Sequence, residues 1–393
     1  MKIIMIYDFS KPTNRLHTNS YKWDSAPNDD IIPLWVADMD FETYPAITEA
    51  LQRRVAHGIF GYTRVPDAYY ESVCQWFAKH HGWSINRSDI IYTSGVVPAI
   101  SAIIKALTLP GDQVIVQGPV YNCFYSSIRN NGCEMVSNSL IYNKETLRYE
   151  MDFEDLDRKL SHERARIMLL CNPHNPGGRV WSREELTHVA ELCKKHGVRV
   201  VSDEIHCELT LHGNEYTPFG SLPDELSFGS ITCCSPSKAF NIAGLQIANI
   251  VCRDAAVRER VDRAININEV CDVNPFGVEA LMAAYTDGAE EWLMELRKYL
   301  SDNYDMLLEF FAKHMPQLPV VRMEGTYLAW VDCSSLGEAS EEIEERLMKK
   351  NKVWVNAGSM YGKEGEHFIR INMACPRERL EEGLRRIAEG IIS

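Results

Sequence analysis

An α/β fold is predicted for this chain, with a large domain around a mostly parallel central sheet and a smaller α+β domain after it. Three observations predict it. Between residues 89 and 283, apolar runs of strand length alternate with amphipathic helical stretches, as in a parallel sheet whose strands are joined through helices. These runs end on turn-forming residues, such as Ser94-Gly95, Gly118-Pro119 and Asn172-Pro173, where a chain leaves a sheet. After residue 290 the pattern changes to one long helix, then short strands interleaved with helices. A chain of 393 residues is longer than one hydrophobic core usually holds, which also favours two units. The expected division is 1–45, an N-terminal segment contributing to the small domain; 46–287, the large domain; and 288–393, the small domain.

Residues 1–45 carry no long helical pattern. The stretch 31–40 is extended and apolar and ends in acids, and the small Ala37 near its end would let a ligand approach the backbone. A helix is expected over 44–57, then a break at Gly58 and the glycine-flanked Tyr62, then a helix over 67–80. A strand at 90–93 leads through Ser94-Gly95-Val96-Val97 into a helix opened by Pro98 and stopped at Pro110-Gly111. Further strands are expected at 112–117, 166–171 and 198–202. They lead to Tyr121, to Asn172, and to Asp203 with His206. Ser182 and Glu185 form a capping box for a helix that stops at His196-Gly197. A strand from residue 230 runs into Ser235-Pro236-Ser237-Lys238. Beyond it come a helix at 290–315, strands at 320–323, 327–331, 353–355 and 368–372, a helix at 341–351 and a final helix from Pro376.

The net charge of −14 argues against nucleic acid or an anionic membrane as the main partner, because both need clustered cations. The twelve cysteines form no Cys-x-x-Cys pair and no His/Cys spacing of a zinc site. No metal is expected, and residues such as Cys171, Cys233 and Cys234 read as reduced core thiols. The apolar start at residues 1–6 is too short for a signal-peptide core, and no run reaches transmembrane length. A cytoplasmic location is expected.

The candidate site centres on Lys238. A lysine just past a buried strand, enclosed in a pocket, has its amine pKa lowered and forms a Schiff base. The hydroxyls of Ser235 and Ser237 are placed to bind a phosphate. A cofactor with both an aldehyde and a phosphate is pyridoxal phosphate, whose protein partners are a lysine and an acid at the pyridine nitrogen. The other candidates also stand at strand ends, where open α/β sheets bind ligands. Gly95, Val96 and Val97 open a helix, whose backbone N–H groups favour a phosphate. Tyr121 offers a ring to stack on a flat heteroaromatic. Asn172 offers a donor for the pyridine 3-oxygen, and Asp203 a carboxylate for the pyridine nitrogen. Asp203 also suits a helix N-cap or a surface acid. His206 suits either an orienting contact to Asp203 or a structural role.

On these motifs the chain resembles the fold-type I pyridoxal-phosphate enzymes of the aspartate-aminotransferase superfamily, and within them the MalY/PatB-type cystathionine β-lyases. The resemblance rests on Trp35-Val36-Ala37-Asp38-Met39-Asp40-Phe41, Gly61-Tyr62, Gly95-Val96-Val97-Pro98-Ala99-Ile100, Asn172-Pro173-His174-Asn175-Pro176, Asp203-Glu204-Ile205-His206, and Ser235-Pro236-Ser237-Lys238 with Phe240 to Gln246. It implies that Lys238 carries the cofactor, Asp203 holds its pyridinium, Asn172 its 3-oxygen and Tyr121 its ring face. Ser235, Ser237 and the Gly95–Val97 backbone then hold the phosphate. Tyr62 reaches in from the second subunit of a homodimer with shared sites. Arg370 clamps the substrate α-carboxylate, with Ala37 and Tyr121 beside the substrate. The implied reaction is α,β-elimination on cystathionine, cysteine or related S-substituted cysteines, giving pyruvate, ammonia and a thiol. An aminotransferase of the same fold is the alternative, and a regulatory interaction could coexist with catalysis. His206, where many aminotransferases place tyrosine, and Gln246, near where many place a phosphate-binding arginine, both agree with the lyase branch.

Overall fold

Seven strands build the central sheet: β1 (Ile90–Thr93), β2 (Gln113–Val116), β3 (Glu134–Ser137), β4 (Ala165–Cys171), β5 (Arg199–Asp203), β6 (Ile231–Cys234) and β7 (Ala248–Val251). Their spatial order is β1-β7-β6-β5-β4-β2-β3. β7 runs antiparallel to both neighbours, and the other four pairs are parallel. This is the mostly parallel sheet expected. The computed structural model describes residues 7–267 and 272–392, so the apolar start at 1–6 lies outside the described residues.

Side chains alternate across the sheet because successive strand residues point to opposite faces. Val114 and Val116 join one buried cluster with Ile167, Leu169 and Val201. Ile115, Met168, Leu170 and Val200 join another on the opposite face. Helix α3 (Val96–Leu107) covers the first face through Val96, Ala99, Ile100, Ile103 and Ile104, the one-sided spacing of an amphipathic helix. Before it, α1 (Pro45–His57) ends at Gly58, whose φ of 76° suits glycine, and α2 is Asp67–His81. After it come α4 (Asn122–Asn130) and α5 (Arg183–His196). The capping box of α5 is present: Ser182 Oγ accepts from Glu185 N at 3.2 Å, and Ser182 N donates to Glu185 Oε2 at 2.8 Å.

α3 starts at Val96, two residues before the proline expected to open it. Pro98 sits within the first turn, where its missing N–H costs no hydrogen bond. β3 and β7 leave no clear strand signal. β3 is an edge strand, exposed at Glu134 and Met135, so it has no continuous apolar run. β7 carries Asn249 in its middle, and the buried amide oxygen accepts from Tyr69 Oη at 2.7 Å.

The later part of the chain contributes α6 (Ala289–His314), β8 (Leu328–Asp332), α7 (Ser340–Asn351), β9 (Asn356–Ala357), β10 (Phe368–Asn372) and α8 (Arg377–Ile392). The strands form an antiparallel sheet in the order β8-β10-β9. Of the strand expected at 320–323, only a single bridge from Val320 to Val331 forms. Val353–Trp354 pairs in parallel with Ile32–Pro33, which draws the N-terminal segment into this part of the molecule.

A buried charge cluster reinforces that attachment. Asp40 accepts from Arg15 Nη1 at 2.8 Å, Trp23 Nε1 at 3.0 Å and Arg379 Nη1 at 3.1 Å, with the buried Lys22 Nζ at 3.3 Å. Burial alone would raise the Asp40 pKa. Lys22, Trp23, Arg379 and Arg15 outweigh it and hold the carboxyl below its ordinary value. The cluster ties the segment before α1 to α8.

Candidate active site

β4, β5 and β6 are adjacent in the sheet, so the segments that follow them meet at one edge. Beside that edge is a cavity of about 350 Å³. Its wall includes Trp35, Ala37, Val96, Val97, Tyr121, Asn175, Asp203, His206, Lys238, Asn356, Tyr361 and Arg370. The N-terminal segment, the central sheet and the small sheet all contribute.

Lys238 Nζ donates to the Ala37 carbonyl at 2.6 Å. Burial pushes the ammonium down to about 8, and Arg370 adds to the effect, while Asp38 and Asp203 oppose it. Asp203 ends β5 and is 3% exposed. Its Oδ1 accepts from Ile205 N at 3.1 Å. Burial pushes this carboxyl up to about 7, although the Ile205 N–H and Lys238 pull it down. His206 lies beside it, also buried. Burial, then Lys238 and Arg370, push its pKa well down, so the ring is neutral.

Arg370 projects from the centre of β10. Nη1 donates to Asn175 Oδ1 at 3.2 Å, and Nη2 donates to the Trp35 carbonyl at 2.8 Å and to Asn356 Oδ1 at 2.9 Å. Its guanidinium lies over the Tyr361 ring, 4.8 Å from the centroid. Tyr121 stands at the N-terminus of α4, and burial raises its phenol pKa.

Several expected residues lie elsewhere. The Asn172 side chain turns away from the cavity: Nδ2 donates to the Thr217 carbonyl at 3.1 Å, and Oδ1 accepts from Trp181 N at 3.3 Å. The expectation for Asn172 is therefore corrected. Its amide secures the turn after β4, and Asn175, three residues on, faces the cavity instead. Ser235 is likewise engaged with backbone. Its hydroxyl donates to the Ile247 carbonyl at 2.5 Å and accepts from Ser237 N at 3.1 Å. Ser235, Ser237 and Gly95 are not on the cavity wall. Gly95 has φ 155° and ψ 161°, a conformation that glycine adopts, and it turns the chain from β1 into α3. Tyr62 is 98% exposed on the loop after α1, outside the cavity of its own chain.

Asn175, Asn356 and Tyr361 were not foreseen. Asn175 lies in the Asn-Pro-His-Asn-Pro motif, where spacing alone does not decide which amide points inward. Asn356 sits on the two-residue β9 and Tyr361 ends the short 3₁₀ turn Gly358–Tyr361, neither with a distinguishing pattern. A second buried charge group surrounds Glu208, with His81 and Cys207 close by. Glu208 accepts from Trp76 Nε1 at 2.6 Å and Arg297 Nη2 at 2.8 Å, and contacts His81 Nε2 at 2.7 Å. Burial opposes ionisation there, but His81 and Arg297 hold the carboxyl at about 2.

The residues present fit pyridoxal phosphate. Lys238 supplies an amine for the aldehyde, and the buried Asp203 carboxylate a partner for a ring N–H. Val96 and Val97 are in the first turn of α3, where N–H groups have no intrahelical acceptor. Two buried polar atoms of the cavity residues, His206 Nδ1 and Arg370 Nε, have no protein partner, as expected of side chains that face a polar ligand.

Residues 29–387 match the family Aminotransferase class I and II, and the chain belongs to that family. Within it, the chain is 44% identical to cystathionine beta-lyase PatB of Bacillus subtilis, over 97% of its own length and 98% of the relative's. It is 33% identical to protein MalY of Escherichia coli over 98% and 99% of the two chains. Among solved structures, it superposes on cystalysin from Treponema denticola with a TM-score of 0.93 at 32% identity, covering 99% of each chain; that crystal contains pyridoxal 5′-phosphate. The PLP-bound C–S lyase from Staphylococcus hominis gives a TM-score of 0.91 at 32% identity, covering 98% and 99%.

Proposed function

We propose that this chain is a pyridoxal-phosphate-dependent carbon–sulfur β-lyase, converting cystathionine, cysteine or related S-substituted cysteines to pyruvate, ammonia and a thiol. The observation that carries the reading is the convergence of Lys238, Asp203 and Arg370 on one cavity. The full-length likeness to a cystathionine beta-lyase supports elimination as the reaction.

When bound, pyridoxal phosphate supplies the electron sink that lets an amino acid lose its Cα proton. Lys238 holds the cofactor, and its eased deprotonation suits the ε-amine to take the Cα proton as general base. Asp203, fixed at the end of β5, would keep a proton on the pyridine nitrogen. Asn175, on the cavity wall, would be the donor to the 3-oxygen in place of Asn172. Tyr121 would cover the ring face, with the neutral His206 on the same wall as Asp203. Val96 and Val97 on the cavity wall would offer backbone N–H groups to the phosphate, with Gly95 and Ser237, each next in sequence to a wall residue, as further proposed donors, while Ser235 fixes the backbone of Ser237. Arg370 would bind the substrate carboxylate through the donors its protein partners leave free, Nε among them, its plane held by the Trp35 carbonyl and Asn356. A fixed carboxylate orients the Cα–H bond toward Lys238, beside Ala37.

The chain is read as one subunit of a homodimer, with Tyr62 of the partner subunit completing each site. Val55, Ile59, Phe60 and Tyr62 support this, because these side chains are exposed together at the end of α1 and on the loop after it. Sedimentation at micromolar concentration is expected to give a dimer, and an active monomer overturns the shared site. The division at 1–45, 46–287 and 288–393 is kept as part of the same reading, supported by the pairing of Ile32–Pro33 with Val353–Trp354. A cytoplasmic location is supported by the described cysteines, which are all free, and cell fractionation checks it. Among the described residues, no helix is long and apolar enough to cross a membrane.

Reaction stoichiometry separates the lyase from an aminotransferase, because both use the same residues. With L-cystathionine and no keto acid, many turnovers per site are expected, releasing pyruvate, ammonia and homocysteine. An aminotransferase stops after about one turnover with its cofactor in the amine form. Arrest of that kind, relieved by a keto acid, overturns the lyase reading.

A further inference from the structure

Two donors meet on the Ala37 carbonyl: Lys238 Nζ at 2.6 Å and Tyr327 Oη at 2.9 Å. The peptide bearing that oxygen has little freedom. The Val36 carbonyl accepts from Asp38 N at 2.9 Å and from Asn372 Nδ2 at 2.5 Å. The Asp38 carbonyl accepts from Asn372 Nδ2 at 2.6 Å. Tyr327 is 0% exposed and immediately precedes β8. Its own carbonyl accepts from Met373 N at 3.0 Å. A phenol from the small sheet therefore reaches the oxygen on which the lysine of the large sheet rests. No step assigned above uses Tyr327.

We propose that Tyr327 is a positioning residue for Lys238: its hydroxyl pins the Ala37 carbonyl as the resting point of the free amine and, by sharing that oxygen, keeps it a weaker acceptor than lysine alone would find. A hydrogen bond to the ammonium favours the charged form. An oxygen that already accepts from a phenol gives that ammonium less support, so the amine sheds its proton more readily. Arg370 from β10, Asp38 from the N-terminal segment, Asp203 and His206 at the end of β5, and Cys123 from α4 also face Lys238. Replacing Tyr327 by phenylalanine leaves all of them in place and removes one hydroxyl. The inference rests on Lys238 being the reactive amine, but its test does not require the reaction.

In the cofactor-free enzyme, acetylation of Lys238 by acetic anhydride is followed against pH by mass spectrometry, with exposed lysines as internal reference. In Tyr327→Phe, the Lys238 midpoint is expected to rise by about half a pH unit or more, roughly threefold in acid dissociation. Replacing Tyr327 with 3-fluorotyrosine, a stronger donor of nearly the same shape, is expected to lower the midpoint. In the holoenzyme, the acid limb of the kcat profile should move in the same direction as the midpoint, with KM changed by less than about twofold. An unchanged Lys238 midpoint, or a shift opposite to that stated in either variant, overturns the proposal. Shifts as stated, in an enzyme without lyase turnover, support the role of Tyr327 and overturn only the reading of the reaction.

Discussion

Lys238→Ala is expected to lower turnover on sulfur amino acids by about four orders of magnitude, the upper end of what a positioned general base contributes. The loss has two sources. In the proposed mechanism the variant loses both the amine that anchors the cofactor and the base beside Cα. Burial has already brought this ammonium down to about 8, so wild-type enzyme near neutral pH needs only a modest shift to present a free amine. Alanine has nothing to deprotonate. Pyruvate release under saturating pyridoxal phosphate measures the effect, and added methylamine should restore part of the rate by supplying a mobile base. Borohydride reduction of wild-type enzyme should fix the cofactor to the peptide containing Lys238. Turnover within tenfold of wild type in the alanine variant would transfer both roles to another residue.

Arg370→Lys is expected to cost roughly 2–3 kcal/mol in kcat/KM, the scale of charge-assisted hydrogen bonds. Charge is retained, but a lysine has no planar fork and cannot hold the Trp35 carbonyl, Asn356 and a substrate carboxylate together. Inhibition by simple carboxylates should weaken in parallel, which distinguishes lost substrate binding from a disturbed β10. Unchanged kcat/KM together with unchanged carboxylate inhibition would place the carboxylate elsewhere in the cavity.

What was legible in the sequence follows from which residues carry local signals. Strands β4, β5 and β6 are buried on both faces and read as apolar runs, so each could be located from the residues alone. The capping box at Ser182 and Glu185 is equally local, since four consecutive residues make it. β7 is harder to see because Asn249 interrupts it, and the compensating donor, Tyr69, lies 180 positions away. The choice between Asn172 and Asn175 depends on the path of one turn, and Thr217 and Trp181 settle it through contacts that no spacing reveals. Ser235 shows the same limit. A hydroxyl next to a lysine looks ready for a ligand until the neighbouring antiparallel strand brings up the Ile247 carbonyl. Tyr327 carries no motif, and its role emerges only from the oxygen it shares with Lys238.

The bond from Arg370 to the Trp35 carbonyl joins positions 335 apart in the chain, and the bond from Asn372 to Val36 joins positions 336 apart. On the ribosome, the N-terminal partner emerges first and waits while the 335 positions that separate it from the other are synthesised. The central strands, whose partners are closer in sequence, have the means to pair well before that. A nascent chain therefore passes through a stage in which Lys238 has been made but neither Arg370 nor the strand whose Asn372 steadies the peptides around the lysine's resting oxygen exists. The cavity is thus complete only once β10 has been made, and a chain released before β10 is translated lacks a wall of the site rather than carrying a weakened one.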